Sequence, residues 1–340
     1  MQFPAFRSAA LFAACTAGAC AFAQQPYKVV DHWKIGGMGG WDYLLADPSA
    51  HLLYVTHGPR VEVVDTTTGK AVGAITGLKG THGIALDPDG KVGYISDGGA
   101  NAVVVFDRKT FATLASIPAG TNPDGITYEP VTKTVWAFNG RSKNVTVIDA
   151  ASRAVVATIA LPGKPEFPQA DGKGNVFDNI EDKNSIVKLD AKTKTLTATW
   201  VVQGCESPSG LAMDTAHGRL FAVCDGNKMG VVDAANGKVL ALPAIGEGPD
   251  AAGYDAKDQF AFSSNGDGTL TVVDAKNGYK PIENVPTQKG GRTMAYDAGR
   301  DRVYVVTAEY GPRPEVTAAN PRPRPPVLPD SFGVVVIGRK

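Results

Sequence analysis

One set of polar side chains recurs along the chain at the start of successive short apolar segments. The set combines carboxylates with a histidine, an arginine and a tryptophan: Trp41, Asp42, His82, Asp124, Glu166, Ser209, Asp250 and Arg292. Carboxylates that converge on one point repel one another unless a cation or an arginine joins them. Two interpretations follow and both stay open. The carboxylates bind a divalent cation such as Ca²⁺ through oxygen ligands, or they cap turns by accepting backbone N–H bonds.

A second set of polar residues follows the next apolar segment of each unit. Its members are His57, Asn101, Arg141, Glu181 and Asp225. We expect both sets on one face of the fold, where arginine would bind an anionic group and carboxylates would accept hydrogen bonds from a ligand. The residues predicted to bind a small molecule, an ion or a protein partner are Trp41, Asp42, His57, His82, Asp124, Glu166, Glu181, Asp250 and Arg292. No residue is assigned a catalytic role.

The elements that position these residues belong to a repeated unit, which is clearest from Thr81 to Ile117. THGIALDPDG reads as a strand that ends in an Asp-Pro-Asp-Gly turn. VGYISDGG and AVVVFD follow as the second and third strands, and Phe111 to Ile117 forms a fourth. Alternating segments with turn residues between them predict a four-stranded antiparallel sheet.

The period of the repeat comes from the aromatic residue of each second strand. These residues are Tyr54, Tyr94, Trp136, Phe177, Phe221, Phe262 and Tyr304, at spacings of 40, 42, 41, 44, 41 and 42. A period of about 40–45 residues with four strands per unit is typical of a propeller blade. The sequence therefore predicts an all-β, seven-bladed β-propeller in which each aromatic side chain packs between neighbouring blades.

The two ends of the chain are predicted to complete the ring. The last repeat lacks its own fourth strand, and Tyr27 to Ile35 resembles the fourth strands of the other repeats. We therefore expect this N-terminal strand to close the ring and remove its open edges. The last repeat also carries a segment with seven prolines, Glu309 to Asp330. This segment is interpreted either as a plain surface loop or as a lid over the channel mouth.

The compartment is predicted from the first residues and from the cysteines. Met1 to Ala23 has the positive start, apolar middle and A-x-A end of a secretory signal peptide, so residues 24–340 would form the mature propeller domain. The expected location is periplasmic or secreted. Cys205 and Cys224 fall at the same end of one predicted hairpin, where either a disulfide or two buried free thiols would fit.

The charge balance argues against two classes of partner. The chain has 34 basic and 34 acidic residues, which gives no overall field that would favour nucleic acid or an anionic membrane. No stretch after the predicted signal peptide is apolar for the eighteen or so residues that a transmembrane helix needs. We expect a monomer without a transmembrane segment.

With its repeats aligned, the chain resembles the YVTN-repeat, YncE-like family of periplasmic seven-bladed β-propellers. The matching segments include LLYVTHGPRVEVVDTTTGK, YISDGGANAVVVFD and GKPEFPQADGKGNVFDNIEDKNSIVKLD. The resemblance implies a non-catalytic binding or scaffold role, and some members are associated with single-stranded DNA. This sequence has no basic groove with interleaved aromatic residues that would carry the DNA role over.

Two enzyme classes of propeller fold are the alternatives to a binding role. A metal-dependent lactonase-type hydrolase would use Glu166, Asp124, Asp250 and His82 as ligands or as the base that activates water, although no sequential metal-ligand spacing supports it. A quinoprotein dehydrogenase is disfavoured, because TTTGKAV and AANGKVL lack the tryptophan expected a few residues later. The sequence also lacks GxSxG, P-loop and HExxH motifs.

Overall fold

The chain forms seven four-stranded antiparallel sheets that are arranged as the blades of a β-propeller. The structure is a computed structural model, and it describes residues 26–317, 320, 323 and 325–339. The signal peptide predicted for Met1 to Ala23 lies outside the described residues. No helix in the described ranges is long and apolar enough to cross a membrane.

The first strand, β1, spans Lys28–Lys34. The first blade contains β2 (Trp41–Asp47), β3 (Leu52–His57), β4 (Arg60–Asp65) and β5 (Lys70–Ile75). The second contains β6 (Thr81–Leu86), β7 (Val92–Asp97), β8 (Ala102–Asp107) and β9 (Thr113–Pro118). The third contains β10 (Pro123–Glu129), β11 (Thr134–Asn139), β12 (Asn144–Asp149) and β13 (Val155–Ala160).

The fourth blade contains β14 (Pro165–Ala170), β15 (Asn175–Ile180), β16 (Ser185–Asp190) and β17 (Thr195–Val201). The fifth contains β18 (Glu206–Asp214), β19 (Arg219–Asp225), β20 (Lys228–Asp233) and β21 (Val239–Ala241). The sixth contains β22 (Pro249–Asp255), β23 (Phe260–Asn265), β24 (Thr269–Asp274) and β25 (Lys280–Pro286). The seventh contains β26 (Met294–Asp297), β27 (Arg302–Thr307) and β28 (Gly333–Gly338). Short 3₁₀ turns follow β7 (Gly98–Ala100) and β15 (Glu181–Lys183).

The seventh blade is completed by the N-terminal strand, as the sequence predicts. The sheet order is β26, β27, β28 and β1, and β1 pairs antiparallel with β28 so that Trp33 lies opposite Val334. Because β1 comes from the N-terminal end of the chain and β26 to β28 from the other end, their union in one sheet joins the two ends and closes the ring. β1 covers the edge of β28 that would otherwise be unpaired.

The aromatic residues of the second strands pack between blades. Tyr54 lies in a cluster with Ile84 and Ile95 of the following blade, and Trp136 lies in a cluster with Val176 and Ile180 of the next. All seven aromatic residues are at most 1% exposed. The prediction that each aromatic side chain packs between neighbouring blades is confirmed. This burial explains why an aromatic residue recurs in each unit.

The aspartates that end the third strands stabilise the turns that follow. Asp65 accepts hydrogen bonds from the backbone N–H groups of Thr67 and Thr68 at 2.7 and 2.9 Å. These bonds hold the pKa of Asp65 below its usual range. Asp107 and Asp190 bind their turns in the same way. For these repeat-ending carboxylates, turn capping is the structural role.

The fifth blade contains a disulfide between Cys205 and Cys224, with the two Cα atoms 5.3 Å apart. Cys205 precedes β18 and Cys224 lies near the end of β19, so the two positions meet at one end of the hairpin. The predicted pairing is confirmed, and the alternative of two free thiols is wrong.

The proline-rich segment Glu309 to Asp330 connects β27 to β28. Its two ends pair with each other. The Leu328 N–H donates to the Glu309 carbonyl and the Gly311 N–H donates to the Pro326 carbonyl, both at 2.8 Å. An isolated antiparallel bridge joins Tyr310 and Val327. The base of the segment is therefore an ordered ribbon that extends from the last blade.

Candidate functional site

The first strands of the blades line the central channel. Each first strand contacts the first strands of its two neighbours, and these contacts continue around the whole ring, including β26 with β2. A residue at the start of each first strand therefore lies near one mouth of the channel. This architecture brings residues about 40 positions apart into contact, which no local motif could achieve.

Three of the predicted residues meet in the channel wall. His82 Nδ1 lies 2.6 Å from Asp42 Oδ2 and 3.6 Å from Asp124 Oδ1. Burial lowers the pKa of His82, but the hydrogen bond to Asp42 and the charges of both carboxylates outweigh it and raise the pKa to about 9. Burial and the charge of Asp42 raise the pKa of Asp124 to about 7. This trio is a compact group of one imidazole and two carboxyls.

Glu166 lies next to this trio and is paired with a lysine. Lys164 Nζ lies 3.0 Å from Glu166 Oε2 and also binds Glu181. Burial and the charge of Asp124 raise the pKa of Glu166 to about 8, although Lys164 opposes the shift. The predicted residues Glu166 and Glu181 thus come together through a cation that was not among the predicted site residues.

Asp178 of β15 is a further buried acid beside the same group. Its side chain is fully buried, and neither of its oxygens meets a hydrogen-bond donor at normal geometry in the described ranges. Burial raises its pKa well above the usual range, and the charges of Glu166 and Asp124 add to the shift. Tyr43, also buried, donates its hydroxyl to the Glu166 carbonyl at 2.6 Å.

Asp250 and Arg292 form a second group on the same mouth. Arg292 Nε lies 3.8 Å from Asp250 Oδ2, and the Arg292 carbonyl accepts a hydrogen bond from Trp41 Nε1 at 3.1 Å. Burial raises the pKa of Asp250 to about 6, although the charge of Arg292 opposes this. The Arg292 side chain is 47% exposed, so it remains accessible to a ligand.

A cleft with a volume of about 1070 Å³ opens at this mouth between the sixth, seventh and first blades. Trp41, Asp42, Asp250 and Arg292 form one side of it. The proline-rich segment forms the other side. Its lining residues are Glu309, Tyr310, Gly311, Arg313, Pro325 and Val327. The segment is therefore part of the cleft wall and not a loop directed away from the channel.

Two predicted positions lie apart from these groups. His57 is fully buried at the end of β3, where its ring stacks on Phe332 at 4.1 Å between the centroids. Its Nδ1 atom faces Glu62 at 3.8 Å, and Glu62 is paired with Arg60. Ser209 of the first set lies half-buried in β18 and donates weak hydrogen bonds to backbone carbonyls.

The opposite end of the channel offers a smaller cavity, of about 450 Å³. Its principal charged group is Arg108, which binds Asp47 and lies 3.4 Å from Asp87 Oδ1. Both carboxylates also accept backbone N–H groups of their own turns. These charges are therefore matched by protein partners, which favours a structural role at that end.

Sequence reasoning missed several residues that complete the site. Lys164 lies two residues before the predicted residue Glu166. Asp178 directly follows Phe177, the repeated aromatic residue of the fourth blade. Their place within the repeat could have identified them. Lys289 lies in the connection between β25 and β26, three residues before Arg292, so its place in the repeat could also have identified it. Tyr310 lines the cleft from the proline-rich segment, which the other blades lack, and no repeat pattern points to it.

No family model matches the chain, and no curated protein matches it. The solved structures that resemble it include a chain of hydrazine synthase from Kuenenia stuttgartiensis, with a TM-score of 0.70 and 17% sequence identity over 79% of this chain and 92% of that one. A second is the structure of U3-55K, with a TM-score of 0.73 and 10% identity over 92% of this chain and 99% of that one. At these identities the likeness shows the shared propeller fold and nothing about activity.

Proposed function

We propose that the protein is an exported propeller of the YVTN-repeat, YncE-like kind that binds a small organic anion in the cleft at its channel mouth. The observation that supports this most directly is the shape of the cleft. The proline-rich segment forms a wall opposite Arg292 and Trp41, and the cleft between them has a volume of about 1070 Å³. Pockets of this size and composition are typical of small-molecule sites.

The lining combines three cations with three carboxylates, Asp42, Asp250 and Glu309, and suits a ligand that has an anionic group, hydrogen-bond donors and an apolar part. Arg292, Lys289 and Arg313 supply positive charge, and a guanidinium binds a carboxylate or phosphate group in a planar, two-point geometry. The aromatic faces of Trp41 and Tyr310 lie in the same cleft, with their ring centroids 6.4 Å apart. Asp250 would accept a hydrogen bond from a hydroxyl or amine donor of the ligand.

The test is a thermal-shift screen of the full chain against small organic carboxylates, sulfonates and phosphate esters, followed by calorimetric titration of the hits. Arg292→Ala should weaken a hit by about 10- to 150-fold, which corresponds to the loss of a charged hydrogen bond worth about 1.5–3 kcal/mol.

Arg141→Ala is the matched control, because Arg141 is an exposed arginine of the same face that does not line the cleft. It should leave the affinity unchanged. Equal losses in both variants would indicate a general charge effect and would contradict the proposed site.

The exported location is part of the same proposal. The buried Cys205–Cys224 disulfide supports it, because disulfides persist in oxidising compartments. Fractionation of cells that express the full chain should recover the protein outside the cytoplasm. An Ala23→Arg variant, altered at the predicted cleavage site, should accumulate unprocessed.

A further inference from the structure

The trio in the channel wall has the composition of a metal site as well as of an ion-pair network. Asp42, His82 and Asp124 come from three consecutive blades, and their ligand atoms all lie within 4.8 Å of one another. We propose that these three side chains bind one divalent transition metal ion, of the Zn²⁺ or Mn²⁺ class, at the inner end of the cleft. This site is separate from the anion site at Arg292 and goes beyond the proposed function.

The distances suit a shared metal ion after a small movement. Metal–ligand bonds of about 2.0–2.2 Å in tetrahedral geometry place two ligand atoms about 3.3–3.6 Å apart. His82 Nδ1 and Asp124 Oδ1 are already 3.6 Å apart. Asp42 Oδ2 is at hydrogen-bond distance from Nδ1, 2.6 Å, and would have to withdraw by less than about 1 Å when the metal replaces the shared proton. The Asp42 side chain is 31% exposed in the cleft and has room to move.

The orientation of His82 is set by its surroundings. A Cβ atom at Gly98 would lie 2.6 Å from both Cδ2 and Nε2 of His82, so the ring packs against bare backbone at this position. This contact turns the Nδ1 edge toward the two carboxylates. Metal ligands are usually held in place by such neighbours before the metal binds.

A second observation points to a missing positive charge. Asp178 is fully buried, and neither of its oxygens accepts a hydrogen bond of normal geometry in the described ranges, although the backbone N–H groups of Glu166 and Asn179 lie close enough to oppose the rise in its pKa. Within the described residues, the cations that face this group are His82 and Lys164, and Lys164 is shared with Glu181. They are fewer than the carboxyls of the group, which are Asp42, Asp124, Glu166 and Asp178. Carboxyls that lie this close together cannot all ionise unless a further cation joins them. A bound divalent cation would supply that charge.

The donor set selects the class of metal. Ca²⁺ and Mg²⁺ prefer oxygen ligands throughout, whereas an imidazole nitrogen suits Zn²⁺ and other first-row transition metals. One imidazole with two carboxylates is therefore better matched to Zn²⁺ or Mn²⁺ than to Ca²⁺. Asp42 also lines the cleft, so a fourth ligand position can be reached from solvent.

The experiment uses the full chain, purified without a histidine tag and stripped with a chelator. Titration with ZnCl₂ or MnCl₂ should give one tight site per chain, and CaCl₂ should bind at least about tenfold more weakly. His82→Asn keeps a donor toward Asp42 but removes the imidazole, and Asp124→Asn keeps the shape of the side chain. Each substitution should lower the metal affinity by more than about 100-fold. Mutation of residues that only hydrogen-bond to a metal ligand already lowers metal affinity by about 10- to 100-fold.

Asp225→Asn is the matched control, because Asp225 is an exposed acid at the end of β19 and lies outside the trio. It should keep full metal affinity, and so should Arg292→Ala, which separates this site from the anion site. If Asp124→Asn does not fold, Asp42→Asn gives the same readout at a partly exposed position. Absence of stoichiometric binding, retained binding in His82→Asn, or a preference for Ca²⁺ would each overturn the proposal.

Discussion

At the residue scale, the Asp250–Arg292 pair should make anion binding depend on pH. The pKa of Asp250 is about 6, because burial disfavours its charged form. Above that pH the carboxylate neutralises Arg292 and repels an incoming anion; below it the repulsion disappears. The affinity should therefore rise as the pH falls through about 6, by about fivefold if this partly exposed pair contributes about 1 kcal/mol. Calorimetry with a sulfonate hit, which stays ionised throughout, measures this change.

The control for this prediction is Asp250→Asn. The amide cannot ionise, so the affinity of this variant should be high and the same on both sides of pH 6. A variant that retains the wild-type pH profile would show that another group is responsible. A wild-type affinity that falls with decreasing pH would contradict the sign of the effect.

Two histidines show which features of a single side chain can be predicted from its position in the repeat and which cannot. Both occur at repeat positions assigned to the channel mouth, and His82 does lie there. His57 instead points into the protein and stacks on Phe332. Phe332 follows the proline-rich segment, which has no counterpart in the other repeats, so periodicity gives no indication of this contact. Position within a repeat predicts how far along the channel axis a residue lies, but it does not predict the direction in which the side chain points.

At the element scale, ring closure by β1 is the feature most open to a stability test. Trp33 is 8% exposed, and its ring packs 5.2 Å from that of Tyr304. It also covers Gly69, where an added Cβ would lie 2.3 Å from the indole. Trp33→Ala should lower the free energy of unfolding by about 3–5 kcal/mol, since it removes a large buried side chain. Chemical denaturation followed by circular dichroism measures the loss.

Val30 provides the matched control on the same strand, because its side chain is 40% exposed. Val30→Ala should change the free energy of unfolding by less than about 0.5 kcal/mol. If Trp33→Ala unfolds at the same denaturant concentration as the wild type, β1 contributes little and the ring does not depend on its closure.

The elements themselves were predictable because each is specified locally. Alternating apolar residues and turns such as Asp87-Pro88-Asp89-Gly90 define the strands, and the spacing of buried aromatic residues counts the blades. The N-terminal strand predicted at Tyr27 to Ile35 is observed at Lys28–Lys34. The cleft was not predictable in the same way. The cleft depends on how the irregular proline-rich segment folds against the ring. The repeat of the sequence carries no information about the conformation of this segment.

At the scale of the whole molecule, the two ends of the channel differ in how their charges are satisfied. At one end Arg108 matches Asp47 and Asp87 within the protein. At the other end, within the described residues, the buried carboxyl of Asp178 forms no ion pair, and Arg292 is only loosely paired with Asp250, at 3.8 Å. Ionic groups that remain unmatched in a folded protein are costly and are typical of functional sites. This asymmetry is the reason for assigning ligand binding to the mouth that carries Arg292.

The proline-rich segment provides the test at this scale. Because Gly311 and Pro326 are hydrogen-bonded across its base, residues 312–325 can be replaced by an Asn-Gly turn that keeps this pairing. The replacement removes Arg313 and Pro325 from the cleft wall and leaves all seven blades intact.

Anion affinity of this variant should fall by about tenfold, equivalent to about 1.4 kcal/mol, mainly through faster dissociation. The melting temperature should change by less than about 2 °C, as expected for a change outside the core. Metal binding at the trio should be unaffected, since none of its ligands lies in the segment. Unchanged anion affinity would show that the segment does not form part of the site. A large drop in melting temperature would show instead that its role is to hold the last blade together.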